Sequence, residues 1–241
     1  MENEMESIKE TTVTRLTPQR GFEEPVDKED LIIPRAKLLQ ALSPEVVENG
    51  KDFHAGMIIN NLTKEILPET FIPIFKFTQW IRFNSRNPKD ENYNPSFGPG
   101  DIIWRSVDPY DPRVTKEGIF GPNGERPLAT KFLNFLSYFS GVEMPVVVSF
   151  ANTSLKAGRQ LLSLAKFSLD HIYARQYLLN CKQESNDMGT YFVFTVRLLG
   201  RTEKKDYEIA EAWWNDYHDR TIQVHEEQTE GSDSGAENRP F

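Results

Sequence analysis

Aromatic and cationic side chains alternate along the segment from Phe71 to Asn84, and this alternation is suited to binding a nucleic acid. Successive side chains of a β-strand point to opposite faces. One predicted face is apolar and consists of Phe75, Phe77, Ile81 and Phe83. The other consists of Lys76, Thr78, Trp80, Arg82 and Asn84. We expect an exposed Trp80 to stack on a base while Lys76 and Arg82 hold the flanking phosphates; the alternative is that Trp80 packs under a loop.

Two later segments repeat the pattern. In the segment from Ile172 to Lys182, one predicted face carries Tyr173, Arg175 and Tyr177. In the segment from Thr190 to Leu199, an apolar face is opposed by Tyr191 and Arg197. The sequence therefore predicts that Tyr173 and Tyr177 stack bases and that Arg175 contacts a phosphate. The alternative is that these tyrosines are half-buried residues of an edge strand.

A third group of cations lies on a predicted helix that begins after Ser154. Its basic residues and one serine recur every three or four positions, which places them on one stripe: Lys156, Arg159, Ser163 and Lys166. The core-facing positions are Ala157, Leu161, Leu164 and Ala165. We expect this stripe, together with Arg35 and Lys37, to neutralise phosphates; the alternative is that it is simply solvated.

The net charge of −8 is unevenly distributed. Residues 1–30 hold nine acids and four bases, and residues 221–241 hold five acids and one base. Residues 31–202 carry a net charge of +4, so the body of the chain is compatible with phosphate binding. The single cysteine, Cys181, excludes an internal disulfide, and no apolar run is long enough to cross a bilayer. These features predict a soluble protein of the cytoplasm.

A cluster of catalytic groups is not evident in the sequence. Asp108 and Asp111 could hold a divalent cation, but acids in a proline-rich segment are typical turn formers. The four histidines are scattered, and no phosphate-binding or dinucleotide-binding glycine motif is present. We therefore expect no enzymatic activity, no metal and no cofactor.

The elements that must position these residues are mostly strands. Strands are predicted at 56–62, 71–84, 101–107 and 145–151, and a β-hairpin at 172–182 and 190–199. Helices are predicted at 130–139, 154–168 and about 205–219, and long loops at 85–127. This mixture predicts a β-rich α+β fold, an elaborated OB-like barrel, over residues 31–220. Residues 1–30 are predicted to be a disordered arm and residues 221–241 a disordered acidic tail.

The predicted tail ends in a large aromatic residue that has no core to join. Its acids are Glu226, Glu227, Glu230, Asp233 and Glu237, and its last two residues are Pro240 and Phe241. An aromatic ring beside the terminal carboxylate can anchor in a small apolar pocket with a basic rim.

This tail resembles that of bacterial single-stranded DNA-binding proteins, and acidic tails ending in Phe also occur in phage replication-type binding proteins. The segments 33–40 and 153–159 are similar to those of phage proteins encoded among replication and recombination genes. The resemblance implies an OB-fold that binds single strands and a tail that recruits replication, recombination and repair proteins. Pro240 and Phe241 would be its partner-binding tip.

These observations together predict a bacteriophage protein that coats single-stranded DNA without strong sequence preference during replication or recombination. Its expected partners are single-stranded DNA and, through the tail, other replication or recombination proteins. Self-association into a homo-oligomer is compatible with this prediction. Two alternatives belong to other classes: a protein-only adaptor or inhibitor of a host enzyme, and a metal-dependent nuclease.

Overall fold

A computed structural model describes residues 33–187 and 189–218. Within them, 37% of residues lie in strands and 23% in helices, so the prediction of a strand-rich fold with few helices is confirmed. The strands are β1 (Ala36–Leu38), β2 (Ile58–Asn60), β3 (Thr70–Phe83), β4 (Ile102–Ser106), β5 (Thr130–Phe139), β6 (Val146–Phe150), β7 (Arg175–Asn186) and β8 (Gly189–Arg201). The helices are α1 (Pro44–Glu48), α2 (Pro112–Glu117), α3 (Leu155–Lys166) and α4 (Lys204–Tyr217). The predicted arm, 1–30, and the predicted tail, 221–241, lie outside the described residues.

The main sheet is antiparallel and open. Its strands follow the order β6-β5-β3-β7-β8, and β4 pairs with the far end of β3. The sheet does not close on itself, so the predicted barrel is wrong although the strand-rich class is right. A small second sheet joins β1 to β2, and the Val147 amide of edge strand β6 donates to the Pro34 carbonyl at 2.8 Å.

Strand β3 changes neighbours along its length. It pairs with β7 only at Thr70 and Phe71 and with β4 from Trp80 to Phe83. Its register with β5 shifts between Pro73 and Phe75, which is a β-bulge, and a bulge bends a strand and increases its twist. A proline is well tolerated at a bulge, because it has no amide hydrogen and the ladder of hydrogen bonds is already interrupted there. The bend lets one long strand serve two parts of the sheet.

The segment Thr130–Phe139, predicted to be a helix, is the central strand β5 between β3 and β6. Every residue from Phe132 to Phe139 is buried, on both faces of the sheet. A strand covered on both sides needs apolar residues at odd and even positions alike. That requirement produces large apolar residues three and four positions apart by coincidence, and it imitates a helical period.

Helices cover both faces of the sheet. Helix α3 packs on one face through Ala157 and Leu161, and we call that side of the molecule the α3 face. The helix comes close because of Gly158, where a Cβ would lie 2.6 Å from the Cβ of Phe150. Helix α4 covers the other side, the α4 face, and buries Ala210 against Ile72 and Leu136 among others. The predicted helices at 154–168 and 205–219 are thereby confirmed.

Side chains from outside the sheet cover part of the outer edge of β8. The Gln40 amide accepts from the Phe192 N–H at 2.8 Å and donates to the Phe192 carbonyl at 3.0 Å. The Ser154 hydroxyl accepts from the Phe194 N–H at 3.2 Å. The sequence predicts Ser154 as the cap of α3, but this residue lies in a 3-10 turn and makes no capping bond to that helix. Its hydroxyl serves the sheet edge instead.

Candidate nucleic-acid interface

Two lysines of the central strands lie on the α3 face. In an antiparallel pair, directly opposed residues share a face. Lys76 is opposite Phe135, which is buried in the core beneath α3, and Lys131 is opposite Trp80. The predicted division of β3 into two faces is therefore confirmed. Desolvation lowers the pKa of Lys76, and repulsion by Lys131 lowers it further. A phosphate between these two ammonium groups would relieve that repulsion.

Two arginines extend the same face. Arg175 and Arg201 are opposite each other at the end of the β7–β8 hairpin. Arg175 lies two residues from Tyr177, which is opposite Phe71 and packs in the core of the α3 face. Arg201 is exposed. The Arg175 side chain is half-buried, and its Nε has no hydrogen-bond partner within the described residues.

Helix α3 adds the predicted basic stripe. Lys156, Arg159 and Lys166 are exposed, whereas Ala157, Leu161 and Ala165 are buried. The amphipathic division of this helix is therefore confirmed, apart from Leu164, which is only half-buried.

The two covering helices have opposite charge. Helix α3 contains three bases and no acid, whereas α4 contains two bases and four acids. The α3 face thus carries seven cations from the sheet and the helix: Lys76, Lys131, Lys156, Arg159, Lys166, Arg175 and Arg201. Glu184 lies near this set, since Lys156 is among the groups that lower its pKa, after Lys182 and others.

The predicted exposure of Trp80 is wrong. This side chain is 7% exposed and packs with Trp104, Val114 and Ala129, a cluster that we call the α2 corner. The Lys131 Nζ lies 5.4 Å from the Trp80 ring centroid, and a Cβ at Gly118 would lie 3.0 Å from the Trp80 Cδ1. Trp80 is on the predicted face of its strand, but α2 and its following loop cover it. A base has no access to its ring.

Arg82 is also occupied at the α2 corner. Its Nη1 donates to the Leu128 carbonyl at 3.0 Å and its Nη2 to the Asn92 carbonyl at 3.2 Å. Its Nε lies 3.9 Å from Glu117 Oε2, which accepts from the Trp104 indole N–H at 2.9 Å. The side chain joins two loops to the sheet and is not placed to receive a phosphate.

The two predicted stacking tyrosines are buried as well, and they lie on different faces. Tyr177 is fully buried beneath α3, and its hydroxyl has no hydrogen-bond partner among residues 33–187 and 189–218. Tyr173 lies in a 3-10 turn, not in β7, and packs against Tyr207 of α4 with ring centroids 5.0 Å apart. Burial is the main reason that its pKa rises to about 12. The prediction that both tyrosines share an exposed face is wrong.

Arg35 and Lys37 both have partners within the chain. The Arg35 guanidinium is 5.4 Å from the centroid of Phe132, a residue that shares the α4 face with Leu136. The Lys37 Nζ is 2.9 Å from Glu45 Oε1. Burial alone would raise the pKa of Glu45, but hydrogen bonds led by that of Lys37 lower it to about 2. Lys37 is therefore committed to an internal ion pair.

The sequence patterns do not predict three residues of this face: Lys131, Arg201 and Phe167. Lys131 is missed because its segment is predicted to be a helix, so its position on a sheet face is not recognised. Phe167, the residue after α3, is 81% exposed and directly follows the predicted cation Lys166. It borders a shallow pocket of about 250 Å³, which we call the Phe167 pocket. The pocket is lined by Ser163, Leu164, Phe167, Ser168, Arg175 and Leu198.

The remaining sequence candidates have structural roles or lie outside the structure. Asp111 caps α2 by accepting from the Arg113 N–H at 2.8 Å, and Asp108 accepts from the Tyr110 N–H at 2.8 Å. The Cys181 thiol donates to the Gly56 carbonyl at 3.1 Å, and burial raises its pKa. Within the described ranges, no group of three or more His, Cys, Asp or Glu side chains could hold a metal. The tail residues Glu226, Glu227, Glu230, Asp233, Glu237, Pro240 and Phe241 lie outside the described residues.

The fold and the site define a strand-rich α+β protein with an open antiparallel sheet and seven cations on one side, four from the strands and three from α3. The chain belongs to the Pam3 phage gp34-like protein family, which it matches over residues 5–223. This membership confirms the predicted bacteriophage origin. No curated protein and no solved structure matches the chain. Among the residues that the structure covers, no helix is both long and apolar enough to cross a membrane.

Proposed function

We propose that this protein binds single-stranded DNA through the α3 face during phage DNA replication or recombination, and that it is not an enzyme. The observation that carries this proposal is the convergence of seven cations from β3, β5, α3 and the β7–β8 hairpin on one side of the sheet. Cations that replace the counterions of phosphates give affinity without sequence preference. The acidic composition of α4 favours the α3 face over the opposite one.

The tail has a separate role in this proposal. Its five acids and the Pro240-Phe241 pair offer a charged segment and an apolar anchor to a replication or recombination protein. The support is the sequence pattern and the phage family of the chain.

A protein-only adaptor, or an inhibitor of a host enzyme, is the second candidate function. It is favoured by apolar side chains exposed on the loops around α2, since exposed aromatic residues often anchor protein interfaces. Tyr110 is 85% exposed, Phe120 68% and Ile119 60%. A metal-dependent nuclease has no comparable observation in its favour within the described residues.

A pair of matched double variants tests the leading proposal. Lys156→Glu with Lys166→Glu reverses two charges on the α3 face, and Lys204→Glu with Lys205→Glu makes the same change on α4. Fluorescence anisotropy of a labelled oligothymidine, and of duplex of equal length, is measured at several salt concentrations without magnesium. We expect only the α3 variant to bind the single strand more weakly. Its slope of log affinity against log salt falls by about 0.7 for each phosphate that the variant no longer neutralises.

Equal weakening by both double variants would show that net charge matters and the face does not. Absence of single-strand binding by the unmodified protein at low salt would refute the proposal and direct attention to a protein partner for the exposed loop residues.

A further inference from the structure

We propose that the Phe167 pocket receives one unstacked base of the bound strand. In this arrangement the Phe167 ring stacks on the base, and Arg175 donates a hydrogen bond to a base carbonyl or ring nitrogen. The inference rests on the proposed function, because it assigns a base position on the same face. It also assigns the stacking role, predicted for the buried Trp80, Tyr173 and Tyr177, to an aromatic residue that a base can reach.

The pocket has the size and composition for a single ring system. Its volume of about 250 Å³ lies below the range of about 300–1,000 Å³ typical of pockets that enclose drug-sized ligands. Leu164, Leu198 and Phe167 supply apolar contacts, and Ser163, Ser168 and Arg175 supply polar groups. A flat base with an apolar surface and a polar rim matches this lining.

Arg175 provides an unused donor at the pocket. Its side chain lines the pocket, and its Nε is buried without a hydrogen-bond partner among the described residues. Buried donors are almost always paired in folded proteins, so a small shift of the Arg175 side chain that brings this donor to an acceptor would be favourable. Both serine hydroxyls already donate to helix carbonyls, Ser163 to Arg159 at 3.0 Å and Ser168 to Ala165 at 2.7 Å. Arg175 is therefore the donor available for a ligand.

Phe167 is held in place although its ring is exposed. Its N–H donates to the Ser163 carbonyl at 3.0 Å, which fixes its backbone to the last turn of α3. A ring on fixed backbone has only two side-chain torsions to restrict on binding, so stacking costs little entropy. Lys166 precedes it, and Arg175 on the pocket wall is opposite Arg201 in the sheet. Phosphates on either side of a stacked base would thus meet cations.

The test compares oligothymidine with a strand of equal length that carries abasic sites in place of the bases. Anisotropy is measured for the unmodified protein and for Phe167→Ala, Phe167→Trp and Arg175→Met. Phe120→Ala is the matched control, since Phe120 is also an exposed phenylalanine but lies in the loop after α2. The melting temperature of Phe167→Ala is expected to equal that of the unmodified protein, because the Phe167 ring is exposed to solvent and packs little against the fold.

We expect Phe167→Ala to weaken oligothymidine binding about ten-fold and to leave abasic-strand binding and the salt slope unchanged. Phe167→Trp keeps the affinity, Arg175→Met lowers it, and Phe120→Ala has no effect. If the unmodified protein binds neither strand, both this inference and the proposed function are refuted. If it binds oligothymidine but Phe167→Ala binds equally well, or weakens on both strands in parallel, only the pocket inference is refuted. If Phe167→Ala changes the sedimentation of the protein but not its DNA binding, the pocket is a contact between two copies of the chain, and the pocket inference is refuted.

Discussion

The α2 corner and the Phe167 pocket combine the same ingredients, an aromatic ring and an arginine, yet they differ in how far those groups are already paired. At the α2 corner, Trp80 is buried and Arg82 donates to two loop carbonyls. At the pocket, Phe167 is exposed and the Arg175 Nε is unpaired within the described residues. At the corner, both the ring and the guanidinium have partners inside the chain. The pocket has an exposed ring face and an arginine in its lining that a ligand could contact.

The difference shows why aromatic and cationic residue types alone do not identify a binding surface. A guanidinium that is held by backbone carbonyls and a carboxylate stabilises the fold and has few donors left for a phosphate. The deciding quantity is the number of partners that the rest of the chain supplies. The α2 corner therefore predicts losses of stability on mutation, and the α3 face predicts losses of affinity.

The largest expected effect is the loss of stability in Trp80→Ala. Removing a buried tryptophan side chain should lower the free energy of unfolding by about 3–5 kcal/mol. Phe167→Ala should change it by less than about 0.5 kcal/mol, because exposed side chains contribute little. Urea denaturation followed by circular dichroism measures both. A stable Trp80→Ala protein with selectively reduced oligothymidine affinity would reverse the comparison and make the corner the stacking site.

A smaller loss is expected for Glu117→Ala. This change removes the acceptor of the Trp104 indole N–H and the carboxylate beside Arg82. Leaving a half-buried donor unpaired should lower the free energy of unfolding by about 1–3 kcal/mol. Glu117→Gln keeps an acceptor and should lose less, and exposed Glu125→Ala serves as the control. Oligothymidine affinity should be unchanged in all three, and a loss confined to Glu117→Ala would place the corner in the interface.

The smallest expected effect concerns the pKa of Lys76. Desolvation and the charge of Lys131 both lower it, so Lys131→Gln should raise it toward its ordinary value of 10.5. Because the folded pKa is below the unfolded one, the charged form of Lys76 opposes folding, and this penalty disappears as the pH rises from the folded pKa to the unfolded pKa. Nuclear magnetic resonance titration of the lysine side chains follows the shift. If the pKa of Lys76 does not respond to Lys131→Gln, the two ammonium groups do not interact, and a phosphate shared between them is not supported.

Local patterns predicted the elements whose two faces differ. The alternation along β3 separates polar from apolar side chains, the residues of β7 and β8 alternate in the same way, and the period of α3 separates exposed from buried positions. The strand faces of Lys76 and Trp80 follow from the same alternation. The exposure of Trp80 does not, because α2 reaches it from more than 30 positions further along the chain.

The failures share the same physical origin. Because β5 is buried on both faces, its sequence does not alternate between polar and apolar residues, and the place of Lys131 on the sheet is not predicted. Helix α2, of only six residues, is too short to show a period, so the sequence predicts only loops there. The closure of the sheet depends on which strands meet at its edges, and that is a long-range property of the chain. The cations of α3 are predictable because a helix presents them locally, whereas the burial of the tyrosines depends on both covering helices.

Gln40 has a consequence for how separate molecules behave toward one another. The outer edge of β8 offers backbone donors and acceptors that the strand of another molecule could use, which is the usual route to chain-to-chain sheet growth. Through its paired bonds to Phe192, the Gln40 amide imitates one residue of such a strand and occupies the position first. Its contribution is therefore to resistance against aggregation, a property measured by solubility rather than by the melting temperature.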